Sequence, residues 1–168
     1  MNCGIAKWMM QCGMIKMRKP CYIVDIDGTV ADGTHRLHFI EFSPNRKKKD
    51  WPNFFANVKD DLPYPHMRTM LYHLTHDGTP IVYVSGRPES TRDDTEAWLF
   101  AHSFPPGAAM YMRPDGDYRT DDITKKELLD KLLVDGWEPI MAFDDRDRVV
   151  DMWRANGIPC AQVRRGDF

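Results

Sequence analysis

The sequence predicts an α/β protein built on a parallel sheet with helices on both faces. Three observations carry that prediction. Short apolar runs alternate with helical patterns through most of the 168 residues; each run stops at a polar turn; and those turns hold a matched set of acids, a hydroxyl and cations. In open sheets of this kind ligands bind beyond the carboxyl ends of the strands. The turns are therefore where function is sought.

The first predicted strand, Cys21-Tyr22-Ile23-Val24, runs into Asp25-Ile26-Asp27-Gly28-Thr29. Strand alternation would send Asp25 and Asp27 to one side, where two carboxylates repel unless a cation or a proton lies between them. Residues 32–63 lack sustained periodicity but keep Trp51, Phe54 and Phe55, which predicts a small insertion packed on its own aromatics. Residues 65–75 place Met67, Met70, Leu71 and Leu74 at helical spacing, closed by Asp77-Gly78. A second strand leads to Ser85-Gly86-Arg87, and a helix over 91–102 follows until Pro105-Pro106-Gly107 breaks it.

A third strand over 108–112 opens into a polar loop carrying Arg113 and Arg119, two arginines that could clamp a second phosphate or a strand. The helix predicted over 121–134 buries Leu128, Leu129, Leu132 and Leu133. A fourth strand over 139–143 ends at Asp144-Asp145. Val149, Val150, Met152 and Trp153 mark a last helix, closed by Asn156-Gly157, before a fifth strand over 159–163.

Composition narrows the function classes. A net charge of −2 gives no global basic field, so a nucleic acid would have to meet a local patch. Arg46-Lys47-Lys48-Lys49 is the densest basic run and reads first as a solvated loop. Cys3, Cys12, Cys21 and Cys160 show no paired metal spacing and read as reduced thiols of a cytoplasmic protein. In the first nineteen residues Lys7, Gln11 and Lys16 interrupt every apolar run too early for a signal or membrane helix. Residues 1–19 are expected to form a loose extension before a single domain at 20–168, with no membrane association and no obligate protein partner.

Three carboxylates meeting at the strand ends, Asp25, Asp144 and Asp145, would call for a hard cation with oxygen ligands, for which Mg²⁺ fits best. A phosphate brought there would lose charge to the metal, Lys125, Arg87 and the Ser85 hydroxyl. Asp25 could then attack phosphorus, and Asp27, two residues on, could protonate the leaving oxygen and later deprotonate water.

Asp25-Ile26-Asp27-Gly28-Thr29, the strand-ending Ser85, Lys125 and Asp144-Asp145 resemble, in order and separation, the four motifs of haloacid dehalogenase-type phosphatases. The tail from Phe143 to Arg154, with Gly157, Cys160, Gln162-Val163 and Gly166-Asp167-Phe168, is similar to the phosphatase domain of bacteriophage polynucleotide kinase/phosphatases, as is Asp117-Tyr118-Arg119-Thr120-Asp121-Asp122-Ile123-Thr124-Lys125. The resemblance implies a Rossmann-like three-layer sandwich with a small insertion or cap after the first strand. It implies Asp25 as nucleophile, Asp27 as general acid/base, and Ser85 and Lys125 as holders of the phosphoryl group. Mg²⁺ would be bound by Asp25, the Asp27 main-chain carbonyl and Asp144, with Asp145 a further acid of the metal site. Arg36, Arg87, Thr29 and Arg113 would lie at the substrate, and Asp121 would support the lysine. The implied substrate is a nucleic-acid end or a nucleotide phosphate, with a polynucleotide 3′-phosphate first. A deoxynucleoside monophosphate is the alternative, and a non-catalytic module that binds nucleic-acid ends a remote one. No Gly-x-x-x-x-Gly-Lys-[Ser/Thr] motif occurs, so the kinase half of such enzymes is missing from this sequence.

Overall fold

Alternation along the first strand divides the protein into two cores. In β1 (Lys19–Val24), Cys21 and Ile23 face one side, while Tyr22 and Val24 face the other. A computed structural model describes residues 18–41 and 49–166. The predicted N-terminal extension therefore lies outside the described residues up to position 17, as do Arg46, Lys47 and Lys48 of the basic run.

The short strands β2 (Ala31–Asp32) and β3 (Leu62–Pro63) pair with each other antiparallel. The main sheet adds β4 (Ile81–Pro88), β5 (Gly107–Arg113), β6 (Trp137–Arg146) and β7 (Cys160–Gly166) to β1. Its order is β5-β4-β1-β6-β7, and every pairing is parallel. Among the described residues five α-helices accompany the strands: α1 (Trp51–Ala56), α2 (Pro65–Leu74), α3 (Arg92–Ala101), α4 (Asp121–Val134) and α5 (Asp147–Ala155). None of the described helices is long and apolar enough to cross a membrane.

Helices α4 and α5 seal one face through Leu128, Leu129, Leu132, Val149, Val150 and Trp153. Helices α2 and α3 seal the other through Met67, Leu71, Trp98 and Leu99. A fully buried side chain of this size stabilises the fold by about 1.5–3 kcal/mol. The helix after β4 lies on one face and the helix after β6 on the other. That divergence opens a crevice at the carboxyl end of β1, which lies between those two strands.

The helices follow the predicted spacing closely, but β6 and β7 run longer than the apolar residues alone indicated. The reason is pairing. Trp137 already aligns with Lys19 at one end of β6, and Arg146 aligns with Gly166 at the other. The insertion is closed at its base by the β2–β3 pair, and it holds a 3₁₀ turn at Thr34–Phe39 and helix α1. Its aromatics do pack on each other: Trp51 stacks on Phe55 at 5.7 Å, and Phe54 meets both edge-on.

Cys21 and Cys160 are free thiols in the core, and burial pushes both up to about 12. Since the thiolate is the reactive form, iodoacetamide at pH 8 should leave both unmodified in the native protein and label both once denaturant is added. Peptide mass mapping reads this directly. Labelling of either residue at a rate near that of the unfolded chain would contradict the packing.

Candidate active site

The site begins where β1 ends. The backbone leaves the strand after Val24 and turns on the Ile26 carbonyl, which accepts from the N–H groups of Thr29, Val30 and Ala31. Strand alternation therefore stops one residue short of Asp25. The two carboxylates do not share a partner; each acquires its own cations.

Asp25 faces helix α4. The Lys125 ammonium lies 2.7 Å from an Asp25 carboxylate oxygen and 2.7 Å from an Asp144 oxygen, bridging the ends of β1 and β6. All three side chains are buried. Asp144 is held further by the Trp153 indole N–H at 3.1 Å and by the main-chain N–H groups of Asp145 and Arg146. Burial pushes the Asp25 carboxyl well above the ordinary range; Lys125 opposes this, while Asp144 and Asp145 add to it. Burial and then Asp144 likewise push Asp145 up to about 6. Burial alone would lower Lys125, but Asp144 and Asp25 more than offset it and hold the ammonium charged.

Asp25, Asp144 and Asp145 each offer an oxygen within 4.8 Å of the other two. The Asp145 Oδ2 atom is buried and has no hydrogen-bond partner. An unpaired buried carboxylate oxygen is costly unless something else occupies its lone pairs. A set of three hard oxygen donors fits a small divalent cation. Gly28, at φ +81°, makes room for this acid: a Cβ there would lie 2.0 Å from Asp145 Oδ2.

Asp27 belongs to a second network. Arg87 donates to its Oδ1 at 2.7 and 3.0 Å, and Arg36 donates to the same oxygen at 2.5 Å. Both guanidiniums also bind Asp61, Arg36 at 2.7 and 2.8 Å and Arg87 at 2.6 Å. Burial would raise the Asp27 carboxyl, but Arg87 and then Arg36 prevail and hold it well below the usual range. Arg36 also lies over the Phe54 ring at 4.2 Å. The insertion thus reaches the site through Arg36, Phe54 and Asp61.

Sequence reasoning missed Asp61, which sits in a stretch without periodicity. Charge balance was the available signal. Two arginines against Asp27 alone, with no phosphate bound, leave a positive excess in the free protein, and a buried acid resolves it. Asp61 is fixed by its neighbours too: its carbonyl accepts from the Trp98 indole at 2.8 Å, and His35 Nε2 lies 3.0 Å from its carboxylate.

The remaining expected residues fall on both sides of the site's boundary. Ser85 is buried, with the Arg87 N–H donating to its Oγ at 3.2 Å. Thr29 Oγ1 and Arg36 Nη1 are buried without hydrogen-bond partners. With Asp145 Oδ2, they are the only such side-chain atoms among the described residues, and all three come from residues expected in the site.

Arg113 was expected at the substrate but turns inward. Its donors are taken by the carbonyls of Gly86 and Arg119, the Thr124 hydroxyl and the Asp121 carboxylate. Arg119 pairs with Asp117 and Glu127 at the surface. Asp121 was expected beneath Lys125, but it binds Arg113 and Arg146 and acts on the ammonium only through space.

Residues 19–168 match the family described as the polynucleotide kinase PNKP phosphatase domain. The chain belongs to that family. It is a haloacid dehalogenase-type phosphatase domain, a phosphoric ester hydrolase by family. A putative bifunctional polynucleotide kinase/RNA ligase from Autographa californica nuclear polyhedrosis virus is 29% identical over 139 residues, which cover 82% of this chain and 18% of that protein. In the solved Pnkp1/Rnl/Hen1 complex, one chain superposes with a TM-score of 0.74 at 28% identity, covering 92% of this chain and 49% of that one. The chain therefore spans about half or less of these relatives. A class C acid phosphatase from Bacillus anthracis, solved with tungstate bound, shares the fold at a TM-score of 0.60 and 16% identity, covering 96% of this chain and 75% of that one.

Removing Asp61 leaves two buried guanidiniums short of one negative charge. Asp61→Ala should lower unfolding free energy by about 3–5 kcal/mol, read by urea denaturation. Asp61→Asn, which keeps the hydrogen-bonding shape, should cost less. A change below about 1 kcal/mol for Asp61→Ala would show that the network does not depend on this acid.

Proposed function

We propose that this domain is a Mg²⁺-dependent phosphomonoesterase that removes a terminal 3′-phosphate from a polynucleotide through an aspartyl-phosphate on Asp25. The observation that carries the reading is the buried assembly of Asp25, Asp144 and Asp145 around the Lys125 ammonium. Family membership supports the phosphatase chemistry. The polynucleotide substrate rests on what the family's name and the viral relative's name describe.

Asp25, Asp144 and Asp145 would hold the Mg²⁺, together with the Asp27 main-chain carbonyl; when bound, it would neutralise phosphoryl charge and orient the ester. Lys125 opposes the upward pull of burial on the Asp25 carboxyl and so favours its ionised, nucleophilic form. Asp25 Oδ attacks phosphorus, forming the acyl-phosphate bond as the bond to the leaving 3′-oxygen breaks. The Ser85 and Thr29 hydroxyls and the unpartnered Arg36 Nη1 are donors for the phosphoryl oxygens.

Asp27 begins ionised, held so by Arg87 and Arg36. Its proton-donor role therefore depends on those arginines turning toward the incoming phosphoryl oxygens, which frees Asp27, partly open to solvent, to take a proton from water and pass it to the leaving oxygen. In the second half, Asp27 removes a proton from the water that cleaves the acyl-phosphate, releasing inorganic phosphate.

Purified protein with Mg²⁺ should release phosphate from a 3′-phosphorylated oligonucleotide in preference to a 5′-phosphorylated one and to free mononucleotides. Asp25→Asn should lower that rate by about a thousandfold or more while circular dichroism stays native. Release from mononucleotides alone would overturn the polynucleotide reading in favour of a nucleotidase. Substantial turnover by Asp25→Asn would overturn the nucleophile, and no turnover by the native protein would favour a binding module.

A further inference from the structure

Most cations around the site are already committed to acids. Arg36 and Arg87 bind Asp27 and Asp61, Lys125 binds Asp25 and Asp144, and Arg113 and Arg146 bind Asp121. A substrate strand brings further charge, because each internucleotide phosphate carries one of its own. Any longer anion must meet cations other than these.

The carboxyl end of β7 supplies two. Arg164 and Arg165 are exposed, and among the described residues neither comes within ion-pair distance of a carboxylate. The next residue, Gly166, fixes this strand end against the site: a Cβ there would lie 2.8 Å from the Asp145 carbonyl oxygen and 3.0 Å from its Oδ2. Arg164 is not loose. It donates to the Tyr64 hydroxyl, and its guanidinium lies over the Tyr64 ring at 5.0 Å. Tyr64 is anchored in turn to the loop after Asp27, its N–H donating to the Val30 carbonyl at 2.9 Å. The aromatic ring and the glycine together hold a guanidinium on the rim, beside the acid cluster. Electrostatics agree, since Arg164 acts on both Asp145 and Asp32 through space.

We propose that Arg164 and Arg165, with Tyr64 as the positioning ring, form a second anion subsite that takes the internucleotide phosphodiester next to the scissile phosphate. The phosphodiester is common to DNA and RNA, so the subsite reads strand length rather than sugar. A mononucleotide or a small aryl phosphate has nothing to place there. This inference rests on the polynucleotide reading above and adds a basis for preferring a strand over a free nucleotide.

The test compares the full chain with Arg164→Ala, Arg165→Ala and the double variant, on 3′-phosphorylated DNA and RNA oligonucleotides and on p-nitrophenyl phosphate, all with Mg²⁺. The readout is the ratio of kcat/KM for the oligonucleotide to that for p-nitrophenyl phosphate. In the double variant that ratio should fall about tenfold or more, and the slope of log kcat/KM against log salt should become shallower by about one for each phosphate no longer neutralised. Arg164→Glu should lower the ratio further than Arg164→Ala. An unchanged ratio and salt slope in variants of a protein that does cleave oligonucleotides would overturn the subsite and leave the proposed function standing. Wild-type protein that cleaves only mononucleotides or p-nitrophenyl phosphate would overturn both.

Discussion

Three carboxylates in one dry volume repel one another, and their sharing it here depends on a single ammonium. Lys125 reaches from the first turns of α4 to touch Asp25 and Asp144 at equal distance, so one side chain ties the end of β1 to the end of β6. Both strands are central in the sheet, and the crevice lies between their carboxyl ends. The lysine can be buried and still charged because two acids oppose the loss of its hydration, and the lysine in turn works against the upward pull of burial on those acids. Asp145 is left over. Its unpartnered oxygen against Gly28 marks the place where the assembly, three carboxylates to one ammonium, is two positive charges short.

A second network, next to the first, gives Asp27 a different character. Arg36 comes from the insertion and Arg87 from the end of β4, and both converge on Asp27 and Asp61. Asp25 is therefore set by one buried cation and Asp27 by two, which separates their proton affinities although they lie two residues apart. Pairs of acids whose surroundings push them apart in this way are suited to divided roles. The insertion is part of that division: its aromatic cluster presents Phe54 beneath Arg36, and its return segment supplies Asp61.

Much of this was legible in the residues. Apolar runs ending in Asp25, Ser85 and Asp144 placed the crevice, because periodicity fixes which face of an element is buried, and the resemblance to haloacid dehalogenase-type phosphatases supplied Lys125. Residues whose roles depend on charge partners distant in sequence were not legible. Asp61 lies in an aperiodic stretch, and only the three-dimensional pairing of Arg36 with Arg87 creates the need for it. Arg113 looked like a substrate clamp on a polar loop, yet the loop folds back so that its own carbonyls, Thr124 and Asp121 use the donors. Trp153 read simply as core. It is core, but its indole N–H also steadies Asp144.

Most depends on Asp25, Asp144 and Asp145 forming a cation site balanced by Lys125. Thermal unfolding with and without Mg²⁺ tests this without relying on turnover. A ligand present at about 100 times its Kd stabilises the native state by about 2.7 kcal/mol, so the Tm of the native protein should rise by several degrees as Mg²⁺ is added. Asp145→Asn should remove most of that rise while the variant remains folded. A native Tm indifferent to Mg²⁺, or an Asp145→Asn variant that responds as the native protein does, would contradict the cation site and the chemistry built on it.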